Sequence, residues 1–143
     1  MNRYCLIRTL AVLLGLSSCD PGQLEDGIIH VHLVNRSDSI IYYCIDVTQG
    51  RKDSIFDPDR IQPYYQGPDG AIMAGDSVHS TIRQIWICEE KRNIVYSFIS
   101  KETMDSYRWD EIISGNIVDM RKIINEKNYH KGDSIITIIY NKP

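Results

Sequence analysis

The stretch that decides the fold is IIHVHLVNRSDSIIYYCIDV, residues 28–47. Its first seven residues alternate in polarity, and the apolar side of the alternation consists of Ile29, Val31 and Leu33. The other side carries His30 and His32. A period of two residues is typical of a strand that buries one face, so we predict a half-buried strand over residues 28–34.

A second strand is predicted directly after the first. Residues 39–47 are rich in β-branched and aromatic side chains, which favour extended structure. One face of this strand would carry Ile41, Tyr43, Ile45 and Val47. The residues between the two strands, 35–38, have the Asn, Ser and Asp composition of a turn. The two strands are therefore predicted to pair as a hairpin.

Downstream, the chain continues to predict strands, over residues 76–88, 93–100 and 134–140. The charged residues 89–92 predict a second hairpin between the first two, while the last strand is apolar on both faces and is predicted to be central. A short helix is predicted over residues 106–113, capped by Asp105 and closed by Gly115, and residues 117–128 fit either a helix or a strand. This pattern predicts a mainly β chain with a single β-sandwich-like domain and one short helix.

Size and charge limit the functional class. The chain has 143 residues, 43 % of them hydrophobic and 24 % charged, and this suits one globular domain. Its net charge is −3, and no block of five or six Lys and Arg occurs anywhere in it. A nucleic-acid partner is therefore not expected.

The N-terminus has the composition of a secretory signal. In residues 1–18, Arg3 and Arg8 precede or flank an uncharged apolar run that is much shorter than the roughly 20 residues needed to span a bilayer. The run ends in Leu-Ser-Ser-Cys at Cys19. This ending resembles the lipobox of bacterial lipoproteins, in which the cysteine sulfur receives a diacylglycerol before cleavage.

That resemblance implies a lipid anchor at Cys19 and a position in the cell envelope, and we expect the outer membrane. Residues 1–18 would be the signal peptide, residues 19–27 the lipidated cysteine with a polar tether, and residues 28–143 the β-rich domain. The alternative is an ordinary secretory signal followed by a coincidental cysteine. Whether the domain faces the periplasm or the cell surface stays open, as does its protein or glycan partner.

Two cysteines remain in the predicted domain, Cys44 and Cys88. Export would place them in an oxidising compartment, where they could form a disulfide. Two separate buried thiols are an equally good interpretation, because free cysteine packs well as a small hydrophobic residue.

The chain also resembles a group of small lipoproteins common in Bacteroides-type bacteria, whose activity is uncharacterised. The resemblance is carried by residues 35–43, Asp57-Pro58-Asp59, Trp86, Phe98-Ile99, Tyr107, Trp109 and Ile138-Ile139-Tyr140. It implies no catalytic residue and no cofactor.

Four triplets of Asp, Ser and an aliphatic residue resemble the O-glycosylation sites of exported proteins in such bacteria. Their serines are Ser39, Ser54, Ser77 and Ser134. The alternative is that they mark junctions between a turn and a strand, because Asp and Ser favour turns and β-branched residues favour strands.

Candidate binding residues are few. Tyr64 and Tyr65 lie in the Pro- and Gly-rich segment 48–75 and would either stack on a ligand or pin that segment to the core. His30 and His32 could hold a metal, but the sequence places no third ligand near them, so we expect no metal site.

These observations predict a lipid-anchored lipoprotein that serves as a non-enzymatic interaction or structural module. A glycan- or peptide-binding accessory protein of a nutrient-uptake system is the alternative. An enzyme is a third class, which would require a concave site with two or more convergent ionisable groups, and the sequence contains no catalytic motif such as GxSxG or HExxH.

The lipid anchor is tested by Cys19→Ala. We expect the variant to lose the mass of the acyl chains and to move from the detergent phase to the aqueous phase, because the anchor acts through burial of methylene groups at about 0.8 kcal/mol each. Intact mass and detergent partitioning measure both effects, and Ser18→Ala is the matched control. Unchanged mass and partitioning in Cys19→Ala would contradict the anchor.

Overall fold

The structure is a computed structural model and describes residues 27–47, residue 61 and residues 66–142. Of the described residues, 43 % lie in strands and 18 % in helices, so the prediction of a mainly β domain is confirmed. No helix in this part of the chain is both long enough and apolar enough to cross a membrane.

Within residues 27–47 and 66–142, seven strands form two sheets. Sheet A has the order β4-β1-β7 and consists of β1 (Ile28–Asn35), β4 (Ser77–Arg83) and β7 (Ile135–Tyr140). Sheet B has the order β3-β2-β5-β6 and consists of β2 (Ile41–Val47), β3 (Gly70–Ile72), β5 (Ile94–Ser100) and β6 (Met120–Ile124). Neighbouring strands are antiparallel except β1 and β7, which are parallel.

Three short helices occur in the described residues, where the sequence predicts one. They are α1 (Gln84–Cys88), α2 (Lys101–Ser106) and α3 (Trp109–Gly115). The predicted helix over 106–113 lies across the break between α2 and α3, since Tyr107 is extended with a φ of −131°. Asn116, in the left-handed region with a φ of 51°, follows Gly115 as the C-cap of α3.

The hydrophobic core lies between the two sheets. The predicted alternation in β1 is confirmed, because its three aliphatic residues Ile29, Val31 and Leu33 are buried in this core. The sheets meet through aromatic side chains of β5. The Tyr96 hydroxyl donates to Ser80 Oγ of sheet A at 3.4 Å, and the rings of Phe98 and Tyr140 lie 6.1 Å apart. The two sheets are thus packed face to face around this main core, as expected of a sandwich, and a second buried cluster contains Ile61, Ile99 and Ile112.

Both predicted hairpins are wrong. β1 pairs with β4 and β7, whereas β2 pairs with β3 and β5 in the other sheet. β4 and β5 are likewise in different sheets, and residues 84–88 between them form α1 instead of continuing the strand. Each apparent turn is therefore a crossover from one sheet to the other.

Asn35 explains why the first crossover is not a hairpin turn. This residue is fully buried, and its Nδ2 donates to the backbone oxygens of Ser39, Ile72 and Met73 at 2.8 to 3.1 Å. Its Oδ1 accepts from the backbone nitrogen and the hydroxyl of Ser37 at 2.9 and 2.7 Å. The side chain thereby ties the end of β1 to the loop before β2 and to the end of β3.

The positions of β5, β6 and β7 also differ in part from expectation. All seven residues of β5 are buried, and this strand lies inside sheet B. β7, which we expected to be central, is an outer strand of sheet A among the described residues, and Ile135 at its start is 66 % exposed. The ambiguous region 117–128 contains strand β6, which pairs with β5.

Replacement of Asn35 by Ala is expected to destabilise the domain by about 2–4 kcal/mol, because the backbone oxygens of Ser39, Ile72 and Met73 each lose a donor and the nitrogen and hydroxyl of Ser37 lose a buried acceptor. Urea unfolding followed by circular dichroism measures the loss. Asn141→Ala at an exposed position is the matched control and should change stability by less than about 0.5 kcal/mol. Equal stability of the two variants would contradict a structural role for Asn35.

Candidate functional site: the Tyr107 cavity

A polar cavity of about 400 Å³ lies at one end of the sandwich. We call it the Tyr107 cavity, and its lining residues are Ser100, Glu102, Thr103, Ser106, Tyr107, Asp119, Tyr140 and Lys142. They come from the end of β5, from α2, from the residue before β6 and from the end of β7. The lining therefore combines hydroxyl groups, two carboxylates, one ammonium group and two aromatic rings.

A network of hydrogen bonds holds the floor of this cavity. Ser100 is the N-cap of α2, and its Oγ accepts from the backbone nitrogen of Thr103 at 3.2 Å. The Asp119 carboxylate accepts from the backbone nitrogen of Ser100 at 2.6 Å and from the Thr103 hydroxyl at 3.2 Å. These bonds fix the carboxylate and both hydroxyl groups relative to one another. The cavity is thus built from groups with defined positions.

The rim of the cavity is more exposed. Lys142 and Glu102 form an ion pair at 3.2 Å, and the Ser106 hydroxyl donates to the backbone oxygen of Glu102 at 2.7 Å. The side chain of Tyr107 is 47 % exposed. A half-exposed aromatic ring beside polar groups can cover an apolar face of a ligand while its neighbours form hydrogen bonds.

Tyr140 is one of the lining residues of the cavity and is only 2 % exposed. Burial raises the pKa of its hydroxyl above the usual range, and the negative charge of Asp119 raises this pKa further. The phenol is therefore neutral across the physiological pH range, and a neutral phenol both donates and accepts hydrogen bonds.

Several predicted site residues lie outside the described residues. They are Cys19, Ser54, Tyr64 and Tyr65. Lipidation at Cys19, glycosylation at Ser54 and ligand stacking at the tyrosine pair remain predictions from the sequence.

The other three predicted glycosylation serines lie at or just before strands. Ser77 is the first residue of β4, Ser134 directly precedes β7, and Ser39 lies in the loop before β2. Asp76 Oδ1 accepts from the backbone nitrogen of Ser77 at 2.7 Å, as an acid at the junction of a turn and a strand does. Ser134 is exposed, whereas Ser39 and Ser77 are half-buried. Ser134 is the most accessible of the three, and its glycosylation stays a prediction.

Cys44 and Cys88 are both free thiols in the structure. Cys44 lies in β2 on the face of sheet B that points away from the main core, and it is fully buried. Burial raises the pKa of its thiol to about 12, and the charge of Asp69 adds to the shift. Cys88, at the end of α1, is partly exposed.

The structure adds one partner to the two histidines singled out in the sequence. His79 of β4 is directly opposite His32 of β1, and their rings stack with centroids 4.5 Å apart and planes inclined by 6°. Within the described ranges, no group of three or more His, Cys, Asp or Glu side chains is placed to hold a metal ion.

The sequence analysis missed the Tyr107 cavity and the partner of His32. The cavity residues come from three segments that are distant in the chain, and their convergence depends on sheet order. The only local signal was the position of Ser100 three residues before Thr103, since a serine is a favoured helix N-cap. His79 was missed because β1 was expected to pair with β2.

Comparison with known proteins finds no matching family model, no matching curated protein and no matching solved structure.

The free thiols can be tested by alkylation of the native protein with iodoacetamide at pH 8. With a pKa of about 12, on the order of one Cys44 side chain in 10,000 is a thiolate at that pH, so we expect modification of the Cys88 peptide and not of the Cys44 peptide. Denaturation should make both peptides react, as peptide mass spectrometry would record. If neither peptide reacts after denaturation until a reductant is added, the two cysteines form a disulfide.

Proposed function

We propose that this protein is a lipid-anchored lipoprotein of the bacterial cell envelope, held in the outer membrane, whose β-sandwich is a non-enzymatic interaction module. The anchor part of the proposal is supported by the signal-like residues 1–18 and the lipobox-like sequence that ends in Cys19. The interaction part is carried by one observation, the Tyr107 cavity.

The hydrogen bonds in the cavity favour binding over catalysis. The Asp119 carboxylate is engaged by a backbone nitrogen and a hydroxyl group, and Glu102 is paired with Lys142. Groups that are held in this way are suited to recognition, because a ligand meets acceptors that are already ordered and little conformational entropy is lost on binding. A general acid or base instead needs a free path for its proton to the reacting atom.

The chemistry of the cavity favours a polyhydroxylated ligand such as a glycan. A sugar ring has an apolar face, which Tyr107 could cover, and hydroxyl groups, which would bond to the carboxylates and to the Tyr140 hydroxyl. The two carboxylates and one ammonium group give the lining a formal charge of −1, which suits a neutral ligand better than an anionic one. This supports the role of glycan-binding accessory protein over that of peptide binder.

The glycan proposal is tested with Tyr107→Ala on the full chain, screened against immobilised neutral oligosaccharides. We expect binding to weaken by roughly tenfold, equivalent to about 1.4 kcal/mol, because the stacking surface is removed. Tyr107→Phe should retain most of the binding, since it keeps the ring.

The control for a general loss of exposed apolar surface is Met73→Ala, because Met73 is 57 % exposed and does not line the cavity. Thermal unfolding of each variant checks that the fold is intact. If Tyr107→Ala binds the same oligosaccharides with the affinity of the unmodified chain, the cavity is not the glycan site.

A further inference from the structure

The outer face of sheet A, which points away from the core, carries three of the four histidines of the chain. His30 and His32 lie two residues apart on β1, and both alternate with the buried aliphatic residues of that strand. His79 lies on the neighbouring strand β4 at the position opposite His32. The fourth histidine, His130, lies in the loop between β6 and β7.

We propose that His32 and His79 form a chelating site for a first-row divalent transition metal ion, of the class of Zn²⁺, Ni²⁺ and Cu²⁺. The proposal goes beyond the interaction function proposed above and does not depend on it. Neutral imidazole nitrogens are the ligands that these ions prefer, whereas Mg²⁺ and Ca²⁺ prefer oxygen ligands.

The distance between the two rings allows both to reach one ion. Opposite residues of antiparallel strands have Cβ atoms about 4.5–5.5 Å apart, and the stacked rings lie 4.5 Å apart by their centroids. A metal–imidazole bond is about 2.0–2.1 Å long and lies in the plane of the ring, so two imidazole nitrogens that bind one ion are about 4 Å or less apart. Because the rings are stacked with planes inclined by only 6°, both imidazoles must rotate about their side-chain torsions to point one nitrogen each at a common ion.

The histidine pair is accessible to solvent. No acidic side chain lies on the three strands of sheet A, and their single basic residue is Arg83 at the end of β4. His79 is exposed and His32 is partly exposed, and the cross-strand neighbour of His32 on β7 is Thr137. Water would complete the coordination of the ion on this open face.

His30 lies near the pair, but the three histidines do not form a group that is already placed to hold a metal ion. It lies on the same face as His32, about two strand steps of 3.3 Å along β1, opposite Thr81.

A central strand of a sheet is a rigid support, and rigid support is what keeps two ligands in position before the ion arrives.

The test is isothermal titration calorimetry of the full chain with ZnCl₂ and with NiCl₂, using a purification tag without histidine. We expect one ion per chain. The His79→Asn and His32→Asn variants should each lose at least roughly tenfold in affinity, since even the loss of an outer-shell partner of a metal ligand costs 10- to 100-fold. His130→Asn removes an exposed histidine elsewhere in the chain and should retain the affinity of the unmodified protein.

Each remaining outcome decides the proposal. Affinity lost in His130→Asn, or unchanged in both His32→Asn and His79→Asn, would overturn it. An equal loss in His30→Asn and His79→Asn would support a site on the same face that uses all three histidines. Because these side chains are at least partly exposed, the variants should unfold at the temperature of the unmodified chain, and this check separates ligand loss from misfolding.

Discussion

The buried amide of Asn35 fixes the first crossover between the two sheets, because it bonds to the loop before β2 and to the end of β3. The chain leaves sheet A at this residue, and each polar atom of its side chain is used to fix the route into sheet B. The backbone takes part as well, since the Asn35 nitrogen donates to the Asp76 oxygen and the Arg36 nitrogen donates to the Tyr140 oxygen, both at 2.9 Å. The ends of β1, β3 and β7 and the start of β4 are thereby joined at one point.

Local features of the sequence were sufficient to predict the positions of β1, β2, β5 and β7, but they did not predict β3, which lies in the Pro- and Gly-rich segment 48–75, or the change from strand to helix at residues 84–88. They also did not predict which strands pair. The alternation of residues 28–34 is a property of one strand and its buried face, and it predicts β1 correctly. The pairing partner of β1, in contrast, is set by contacts between residues that are distant in the chain. Asn35-Arg36-Ser37-Asp38 has the composition of a turn, yet composition cannot reveal that the Asn35 amide binds Ile72 and Met73, which are almost forty residues away.

Burial was also misjudged for a physical reason. β7 is apolar on both faces, and such strands are usually covered on both sides. Among the described residues, however, β7 has a strand neighbour on one side only, which is β1, and Ile135 at its start remains exposed. β5 contains Ser97 and Ser100 and looks less apolar, but all its residues are buried, because sheet A packs on one face of the strand and Ile112 of α3 packs near Ile99 on the other. The Tyr107 cavity could not be predicted for the same reason. Its residues are distant in the chain and become neighbours only when β5, β6 and β7 are packed together.

The parallel pair of β1 and β7 has a consequence for how the chain acquires its fold. Contacts such as His30 with Ile135 join residues about a hundred positions apart, and such contacts give a high contact order and slow folding. Sheet A cannot be completed until β7 has emerged from the ribosome. Until then sheet A consists of β4 and β1 alone, and a fragment that ends before β7 would leave one edge of β1 without its strand partner.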